Sequence, residues 1–322
     1  MDLNNKPHRR KNILTGEWTL VSPHRTKRPW QGKNDKPQKV EQLNYDSTCY
    51  LCPGNERVGG VINPNYNSTY IFKNDFSALT ENLKESSIDG LLEAESESGI
   101  CKIMCYSPNH SLTIPLMEID AIKGIIRSWQ KEYRDMGKNS DINYVQIFEN
   151  KGAIMGCSNP HPHGQIWAQR SIPQEVQKKI FNQKNYWKEH ESSLLSDYLR
   201  QELKSGQRII LENNGFAALV PFWAVWPFET MIIPKRHVVS ISELSKHEVN
   251  EYASILKKLT IRYDNLFETS FPYSTGIHQA PTDGKDHKYW HMHMSFYPPL
   301  LRSADKKNSW WDMRCLQTPS EI

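Results

Sequence analysis

The segment Asn159-Pro-His-Pro-His-Gly-Gln-Ile-Trp-Ala168 contains two histidines and a glutamine at alternate positions. In an extended strand, the side chains of His161, His163 and Gln165 project from one face. A neutral imidazole can attack phosphorus through one ring nitrogen and hold the phosphoryl group covalently, while a second histidine can bind a metal. The spacing alone also fits two surface histidines in a turn around Pro162. The rest of the chain favours the chemical interpretation.

The second half of the chain repeats the plan of the first. Asp75-Phe-Ser-Ala-Leu79 resembles Gly215-Phe-Ala-Ala-Leu219, and each stretch is followed by an apolar segment that ends in a histidine. A long amphipathic segment comes next, and then a strand with a His-x-His pair. The histidines at corresponding places are His110, His161 and His163 in the first half and His237, His291 and His293 in the second. This echo predicts two tandem repeats.

The amphipathic segments are predicted helices. Apolar residues recur at steps of three and four between Ile119 and Met136 and between Leu244 and Leu266, with Ser242 as a candidate N-cap of the second helix. Short apolar runs predict strands at 100–106, 144–148, 164–169, 216–220 and 229–234. Because the short connections leave no room for regular crossover helices, we expect antiparallel sheets and an α+β fold class.

We therefore expect four parts along the chain. They are a first repeat at residues 1–173, a helical connector at 174–206, a second repeat at 207–307 and a tail of unassignable periodicity at 308–322. Each repeat is predicted to be an antiparallel sheet with one long helix.

The amino-acid composition indicates a folded, globular protein. The 322 residues are 38% hydrophobic and 24% charged, and 40 basic against 36 acidic residues give a net charge of +4. That balance is too slight to indicate nucleic acid, and no basic and aromatic stretch forms a stacking platform. With no long apolar run and no secretory signal, we expect a cytoplasmic protein that binds no membrane. Basic residues concentrate at 8–11 and 24–28, which indicates an anion-binding segment or a solvated arm.

Cys49-Tyr-Leu-Cys52 has the two-residue gap typical of thiolate metal ligands. A structural zinc needs four donors, and His110 and His161 are the candidates for the other two. A redox pair or two buried thiols would show the same spacing. If a metal binds His161, it fixes the strand that carries His163, so the ion orients the nucleophile and does not react.

A loop of small residues at 150–159 precedes the histidines. Backbone amides near Gly156 and the hydroxyl of Ser158 are candidate donors to phosphate oxygens, because glycine permits a close approach. Gln165 offers a neutral amide donor, which stabilises a transferring phosphoryl group without a base that activates water. The set therefore favours group transfer over hydrolysis.

Together these motifs resemble the galactose-1-phosphate uridylyltransferases, a family within the histidine-triad superfamily. The match extends from about Arg10 to Lys307 and is more specific than the alternating histidines alone. It is carried by Cys49-x-x-Cys52-Pro-Gly-Asn55, Asn74-Asp-Phe76, Ser107-Pro-Asn-His110, Phe148-Glu-Asn-Lys-Gly152, Gly156-Cys-Ser-Asn-Pro-His-Pro-His-Gly-Gln165, Trp226-Pro-Phe-Glu229 and Phe296-Tyr-Pro-Pro-Leu-Leu-Arg302.

The resemblance implies a ping-pong exchange, two histidine-triad-like repeats, and a homodimer whose active sites are completed across the interface. His163 would take the uridylyl group of UDP-glucose, release glucose 1-phosphate, and pass the group to galactose 1-phosphate, with Gln165 and Ser158 assisting. The implied ligands of a structural zinc are Cys49, Cys52, His110 and His161. The implied substrate contacts are Arg25 and Arg28 for phosphates, Asn74 and Asp75 for uridine, Asn150 and Gly156 for the α-phosphate, and Lys307 for the UDP-sugar, with Phe76 as a further substrate contact.

The resemblance also implies a second metal, iron or zinc, for which this chain lacks half of the ligands. His278 and His293 match the family pattern, whereas Lys179 stands at the position of a glutamate and Ser295 at that of a histidine. We expect this second site to be degenerate and empty. The candidate substitutes for the missing ligands are His291 and Glu175.

The tail departs from the family further. After Lys307 the family reads Phe-Met-Val-Gly-Tyr-Glu-Met-Leu, whereas this chain reads Asn308-Ser-Trp-Trp-Asp-Met-Arg-Cys315. A plausible back-translation relates the two by a one-nucleotide frameshift in the adenine run of the Lys306 and Lys307 codons, either biological or a sequencing slip. The expected consequences are weaker substrate binding and a less stable dimer.

Two other functions remain open from the sequence. A nucleotide hydrolase or dinucleoside-polyphosphate phosphorylase of the same superfamily would use the same histidine. A nonenzymatic, zinc-stabilised nucleotide-binding remnant would follow from loss of the tail.

Overall fold

The computed structural model describes residues 2–23 and 43–299. The strands and α-helices follow one another along the chain in the order β1 (His8–Lys11), β2 (Trp18–Val21), β3 (Tyr70–Lys73), β4 (Ser87–Ile88), β5 (Ala94–Glu95), β6 (Gly99–Cys105), α1 (Ile119–Met136), β7 (Tyr144–Lys151), β8 (His163–Gln169), α2 (Gln174–His190), α3 (Leu194–Ser205), β9 (Ile209–Glu212), β10 (Phe216–Leu219), β11 (Thr230–Pro234), α4 (Lys246–Phe267), β12 (Tyr273–His278) and β13 (His293–Tyr297).

Nine strands form one sheet in the order β3-β6-β8-β7-β12-β13-β11-β10-β9, and every neighbouring pair is antiparallel. The first half of the chain supplies four of these strands, which are β3, β6, β8 and β7. The second half supplies the other five. They meet where β7 pairs with β12, in a register that runs from Lys151 opposite Tyr273 to Ile147 opposite Ile277. The predicted α+β class with antiparallel sheets is confirmed, and the two sheets merge into one.

Helices α1 and α4 cover one face of the sheet. The α1 side chains Ile122, Ile126 and Trp129 recur at helical spacing and share a buried core with alternate residues of β8 and β13. On β8 these residues are Ile166 and Ala168, so the intervening residues of β8 lie on the opposite face. In the second half, α2 and α3 cover that opposite face.

Helix α4 begins three residues later than the Ser242 prediction. Ser242 lies in a short 3₁₀ turn, whereas Ser245 is the N-cap. The Ser245 hydroxyl accepts from the Glu248 amide at 3.2 Å, and the Glu248 carboxylate accepts from the Ser245 amide at 2.9 Å. This reciprocal capping box satisfies two backbone donors that Ser242 could not.

Among the described residues, no helix combines the length and the apolar composition needed to cross a membrane.

Candidate active site and metal cluster

Strand β8 presents His163 and Gln165 on the sheet face opposite α1. It lies between β6 and β7, with His163 opposite Cys105 and Gln165 opposite both Ile103 and Phe148. Ile166 and Ala168 point into the core, so the strand alternation places the two polar side chains on the other face, where both are half-buried. The spacing inferred from the sequence therefore produces the expected arrangement.

The His163 ring has a fixed tautomer. Its Nδ1 lies 2.8 Å from the backbone carbonyl oxygen of His161. Because a carbonyl oxygen only accepts hydrogen bonds, Nδ1 carries the proton and Nε2 keeps its lone pair. Burial lowers the pKa of His163, which favours the neutral ring. The Nε2 atom is therefore available as a nucleophile.

Position 164, between His163 and Gln165, has room for glycine alone unless neighbouring atoms shift. A Cβ atom added to Gly164 would lie 2.5 Å from the Tyr106 hydroxyl oxygen and 3.1 Å from two carbons of that ring. Tyr106 is buried against Trp129 of α1, with ring centroids 6.3 Å apart. The Tyr106 ring thus supports the β8 backbone directly beneath the reactive side chains, a contact that the sequence analysis missed.

The Gln165 side chain also has a defined orientation. Its Oε1 accepts a hydrogen bond from the indole Nε1 of Trp167 at 3.2 Å. Because the carbonyl end of the amide is engaged, the amide nitrogen is the end that can donate to a ligand. Trp167 itself packs edge-on against Phe148 at 5.6 Å between ring centroids, which restricts its motion.

Cys49, Cys52, His110 and His161 form a buried cluster. One potential ligand atom from each residue lies within 4.8 Å of the other three, and within the described residues no other such group of His, Cys, Asp or Glu side chains is found. The Cys52 Sγ is 3.5 Å from Nδ1 of both histidines. The cluster could hold a metal ion.

The protein around the cluster holds each ligand in place. Nε2 of His161 donates to the Ser107 carbonyl at 2.8 Å, which leaves Nδ1 free to coordinate an ion. The side-chain amide of Asn55 donates to the Cys49 carbonyl at 2.8 Å, and that of Asn63 donates to the Cys52 carbonyl at 3.0 Å. Burial raises the pKa of Cys52 to about 11, so a thiolate at this position requires a cation beside it.

His161 joins the cluster to His163. Its ring lies in the cluster, and its backbone carbonyl accepts the hydrogen bond that fixes the His163 tautomer. Asn159 reinforces this link, because its Oδ1 accepts from the His161 amide at 2.9 Å while its side chain contacts the Cys49 sulfur at 3.5 Å. An ion in the cluster would therefore hold the backbone that orients His163.

The loop between β7 and β8 has an accessible backbone at Gly156, and the side-chain amide of Asn150 beside it has a fixed orientation. Gly156 has φ of 79°, and among the described residues no atom beyond its chain neighbours lies within 4 Å of an added Cβ, so a ligand can approach its backbone closely. Ser158 is exposed. The Asn150 side-chain oxygen accepts from the Ser274 hydroxyl at 2.7 Å, which leaves its amide nitrogen as a donor. The sheet junction thus brings a residue of the second half to this loop.

Three residues predicted to contact the substrate, Asn74, Asp75 and Phe76, follow the edge strand β3. Ile103 pairs with both Phe72 of β3 and Gln165 of β8, so Phe72 lies two strands, about 10 Å, from Gln165. Phe76 is 75% exposed, and Asp75 forms an ion pair with Arg57 at 3.1 Å. The Asn74 side chain accepts from the Phe76 amide at 3.0 Å, which holds the turn. Arg57 was missed because nothing in its local sequence marks the ion pair.

The remaining predicted site residues divide into two groups. Arg25, Arg28, Lys307 and the tail lie outside the described residues. His278 and His293 are brought together in the second half, with stacked rings whose centroids are 4.8 Å apart. They lie on strands β12 and β13 and are both buried.

Comparison with known proteins places these features in a family. The family model described as "Galactose-1-phosphate uridyl transferase, N-terminal domain" matches residues 1–173. The model described as "Galactose-1-phosphate uridyl transferase, C-terminal domain" matches residues 178–308. The chain is 52% identical over 300 residues to the galactose-1-phosphate uridylyltransferase of Haemophilus influenzae, covering 92% of this chain and 85% of the relative. The enzyme of the same name from Saccharomyces cerevisiae is 47% identical over 321 residues, covering 94% of this chain and 87% of its own length.

A solved structure extends the comparison to a different activity. The ADP-glucose phosphorylase of Arabidopsis thaliana, with bound ADP-glucose, matches with a TM-score of 0.73 and 26% identity, covering 92% of this chain and 90% of that one. Its 26% identity is about half that of the two uridylyltransferases named above, at 52% and 47%. The chain therefore belongs to the galactose-1-phosphate uridylyltransferase family.

Proposed function

We propose that the protein transfers the uridylyl group of UDP-glucose to galactose 1-phosphate through a covalent uridylyl-histidine intermediate. The observation that carries the proposal is the fixed tautomer of His163, whose Nε2 lone pair emerges on the same sheet face as Gln165. In the first step, Nε2 forms a bond to the α-phosphorus and the bond to the bridging oxygen breaks, so glucose 1-phosphate leaves. In the second step, a phosphate oxygen of galactose 1-phosphate displaces the histidine and UDP-galactose forms.

Four neutral groups around His163 would stabilise the transferring phosphoryl group. The amide nitrogen of Gln165 is turned outward by the bond from Trp167, and Asn150 is oriented by Ser274. The Ser158 hydroxyl and the backbone near Gly156 are open to a ligand. Donors of this kind stabilise developing charge on non-bridging oxygens without taking a proton from water. They support transfer to a sugar phosphate over hydrolysis.

The residues after β3 would bind the uridine. Exposed Phe76 offers a ring to the base, and Asp75, held by Arg57, offers a carboxylate to the ribose hydroxyls. The distance of about 10 Å from Phe72 to Gln165, across two strand spacings of the sheet, suits a nucleoside that extends from an α-phosphate at His163. Arg25, Arg28 and Lys307 are proposed to contact the phosphates and the UDP-sugar on the basis of their sequence positions.

We propose that the cysteine-histidine cluster binds zinc. For Zn–S bonds of about 2.3 Å and Zn–N bonds of about 2.05 Å, a tetrahedral site places S and N about 3.6 Å apart. The Cys52 Sγ lies 3.5 Å from Nδ1 of His110 and of His161, and Cys49 Sγ lies 3.9 Å from Nδ1 of His161. The residues therefore fit this ion. When bound, zinc would supply structural rigidity, and this chain's own groups would do the chemistry.

The assembly and compartment are proposed from the same features. The buried, reduced cysteines of the cluster support a cytoplasmic location. We propose a homodimer in which the region around Lys307 completes the partner's site. We also propose that residues 1–173 and 207–307 are the two repeats and that residues 174–206, which contain α2 and α3, connect them.

The test is to incubate the protein with UDP-glucose alone, quench in base, and search for a uridylyl group by peptide mass spectrometry. We expect an adduct on His163 and the release of one glucose 1-phosphate per active site. His163→Gln should form none, while His190→Gln, a change on the surface of α2, should behave like the parent. A folded, metal-loaded protein that gives no adduct would refute the covalent mechanism.

The acceptor separates the rival activities. Chasing the adduct with galactose 1-phosphate should give UDP-galactose. The structural likeness to ADP-glucose phosphorylase makes phosphorolysis the second candidate, and inorganic phosphate would then release UDP from the adduct. Rapid appearance of UMP without any acceptor would identify a hydrolase. Binding of UDP-glucose without adduct formation would identify a nucleotide-binding protein.

A further inference from the structure

The second half of the sheet contains a copy of the hydrogen bonds that orient the nucleophile. Nδ1 of His293 donates to the carbonyl of His291 at 3.0 Å, as His163 does to His161 at 2.8 Å. Nε2 of His291 donates to the Pro234 carbonyl at 3.0 Å. The corresponding bond from His161 goes to Ser107, which precedes His110 by three residues as Pro234 precedes His237. The hydrogen bonds from the histidine rings to backbone carbonyls are therefore the same in both halves.

The ligands around the two copies differ. His291 Nδ1 lies 3.1 Å from the hydroxyl oxygens of Ser193 and Ser196, in the place where His161 Nδ1 meets two cysteine sulfurs. Both ring nitrogens of His291 are thus engaged in hydrogen bonds, and the ring cannot also coordinate an ion. Glu175, the other candidate substitute, pairs with Lys178 at 2.7 Å. Neither residue replaces a ligand of the second metal.

Lys179 of α2 occupies the open side of His293. Its Nζ lies 3.5 Å from His293 Nε2, which holds a lone pair because Nδ1 carries the proton. Lys179 is 6% exposed, and His293 is completely buried. The ammonium can donate to this lone pair, and it carries the positive charge that a metal ion would bring. A cation placed beside it would be strongly repelled in so enclosed a site.

The neighbouring groups do not form a metal site either. His278 stacks on His293, and its Nε2 is buried without a hydrogen-bond partner among the described residues, as is the hydroxyl of Ser295. Burial, with a further contribution from the Lys179 charge, lowers the pKa of both imidazoles. The buried carboxylate of Glu229 interacts electrostatically with Lys179 and offers a compensating charge. The donor set is therefore two neutral rings around an internal cation.

We propose that the Lys179 ammonium takes the place of a second metal ion, and that it closes the second His-x-His pair as a ligand site. The chain then holds one metal, in the Cys49 cluster, and only its first repeat can accept a nucleotide. This inference does not depend on the uridylyl transfer proposed above, because it concerns metal content and the environment of His293, but its count of one metal rests on the zinc proposed for the Cys49 cluster.

The test measures metal in the holoenzyme expressed with both iron and zinc in the medium. We expect one metal ion per chain by elemental mass spectrometry, with two sulfur and two nitrogen neighbours in X-ray absorption. A second metal ion in the unaltered chain, or an average of one sulfur neighbour per metal, would overturn the proposal. This measurement needs no variant and does not depend on activity.

A pair of variants isolates the role of Lys179. The double change Lys179→Glu and Ser295→His removes the ammonium and restores four donors, so it should raise the metal content from one to two per chain. Lys184→Glu, on an exposed part of the same helix, should leave the content at one. A folded double variant that still binds a single ion would show that Lys179 is not what replaces the second metal.

Discussion

A single methyl group at Gly164 should disable the nucleophile without touching it. The added Cβ would lie 2.5 Å from the Tyr106 hydroxyl, whereas ordinary contact begins near 3.4 Å. The strand or the ring must therefore move by about 0.9 Å, and β8 carries His163 on one side of Gly164 and Gln165 on the other. A displacement of about 1 Å at reacting groups costs about 100-fold in rate, and overpacking costs about 1–3 kcal/mol of stability.

The assay for Gly164→Ala is the rate of His163 uridylylation under single-turnover conditions, together with thermal unfolding. We expect a rate about 100-fold lower and a Tm lower by several degrees. Tyr106→Phe removes the atom at 2.5 Å but leaves ring carbons at 3.1 Å, so Tyr106→Phe combined with Gly164→Ala should recover most of the lost rate. Tyr106→Phe alone is the control.

The result that would refute this reasoning is a Gly164→Ala enzyme with the parental rate. A double variant no faster than Gly164→Ala would also refute it, since the clash with the hydroxyl would then not be the cause. Metal content should be parental in all three variants, because neither position contacts a cluster ligand side chain. That measurement separates a displaced nucleophile from a damaged cluster.

Three further predictions follow from other contacts. Cys52→Ser should lose the bound metal, measured by elemental analysis, and with it most adduct formation. Gln165→Glu should slow transfer by at least about tenfold and raise the UMP released from the adduct, measured by chromatography, because a carboxylate repels the phosphoryl group and can accept a proton from water. Burial raises the pKa of Glu149 from 4.5 to about 7 despite the nearby Lys151, so the folded chain binds more protons than the unfolded chain between these values. The free energy of unfolding of the parent therefore falls as pH rises through this window. The Glu149→Gln variant should be more stable than the parent by up to about 3 kcal/mol above pH 7 and should have the same stability below pH 4.5. Urea unfolding at a series of pH values measures this difference.

The sequence predicts local structure well where one physical pattern decides it. The helix from Ile119 to Met136 follows from apolar side chains at steps of three and four, and it was placed correctly. The start of α4 was misplaced because Ser242 was considered without the residue three positions later. Ser245 has Glu248 at that spacing, and the reciprocal capping box outweighs a serine alone.

Long-range pairing is beyond the reach of these patterns. The pairing of β7 with β12 joins residues more than a hundred positions apart, and neither strand carries a local signal for its partner. The same limit applies to the site. The alternation of His163 and Gln165 was visible, but the contact of Tyr106 with Gly164 and that of Lys179 with His293 depend on which strands and helices become neighbours.

Duplication of a reactive strand does not by itself create two active sites in this protein. His163 and His293 have the same protonated Nδ1, the same carbonyl acceptor two residues earlier, and the same sheet face. They differ in what lies against Nε2. His163 is half-buried beside a loop with an exposed glycine, whereas α2 covers His293 and directs an ammonium at its lone pair. Because a lone pair that accepts a hydrogen bond is not available to attack phosphorus, the contact from α2 favours His163 over His293 as the nucleophile proposed above.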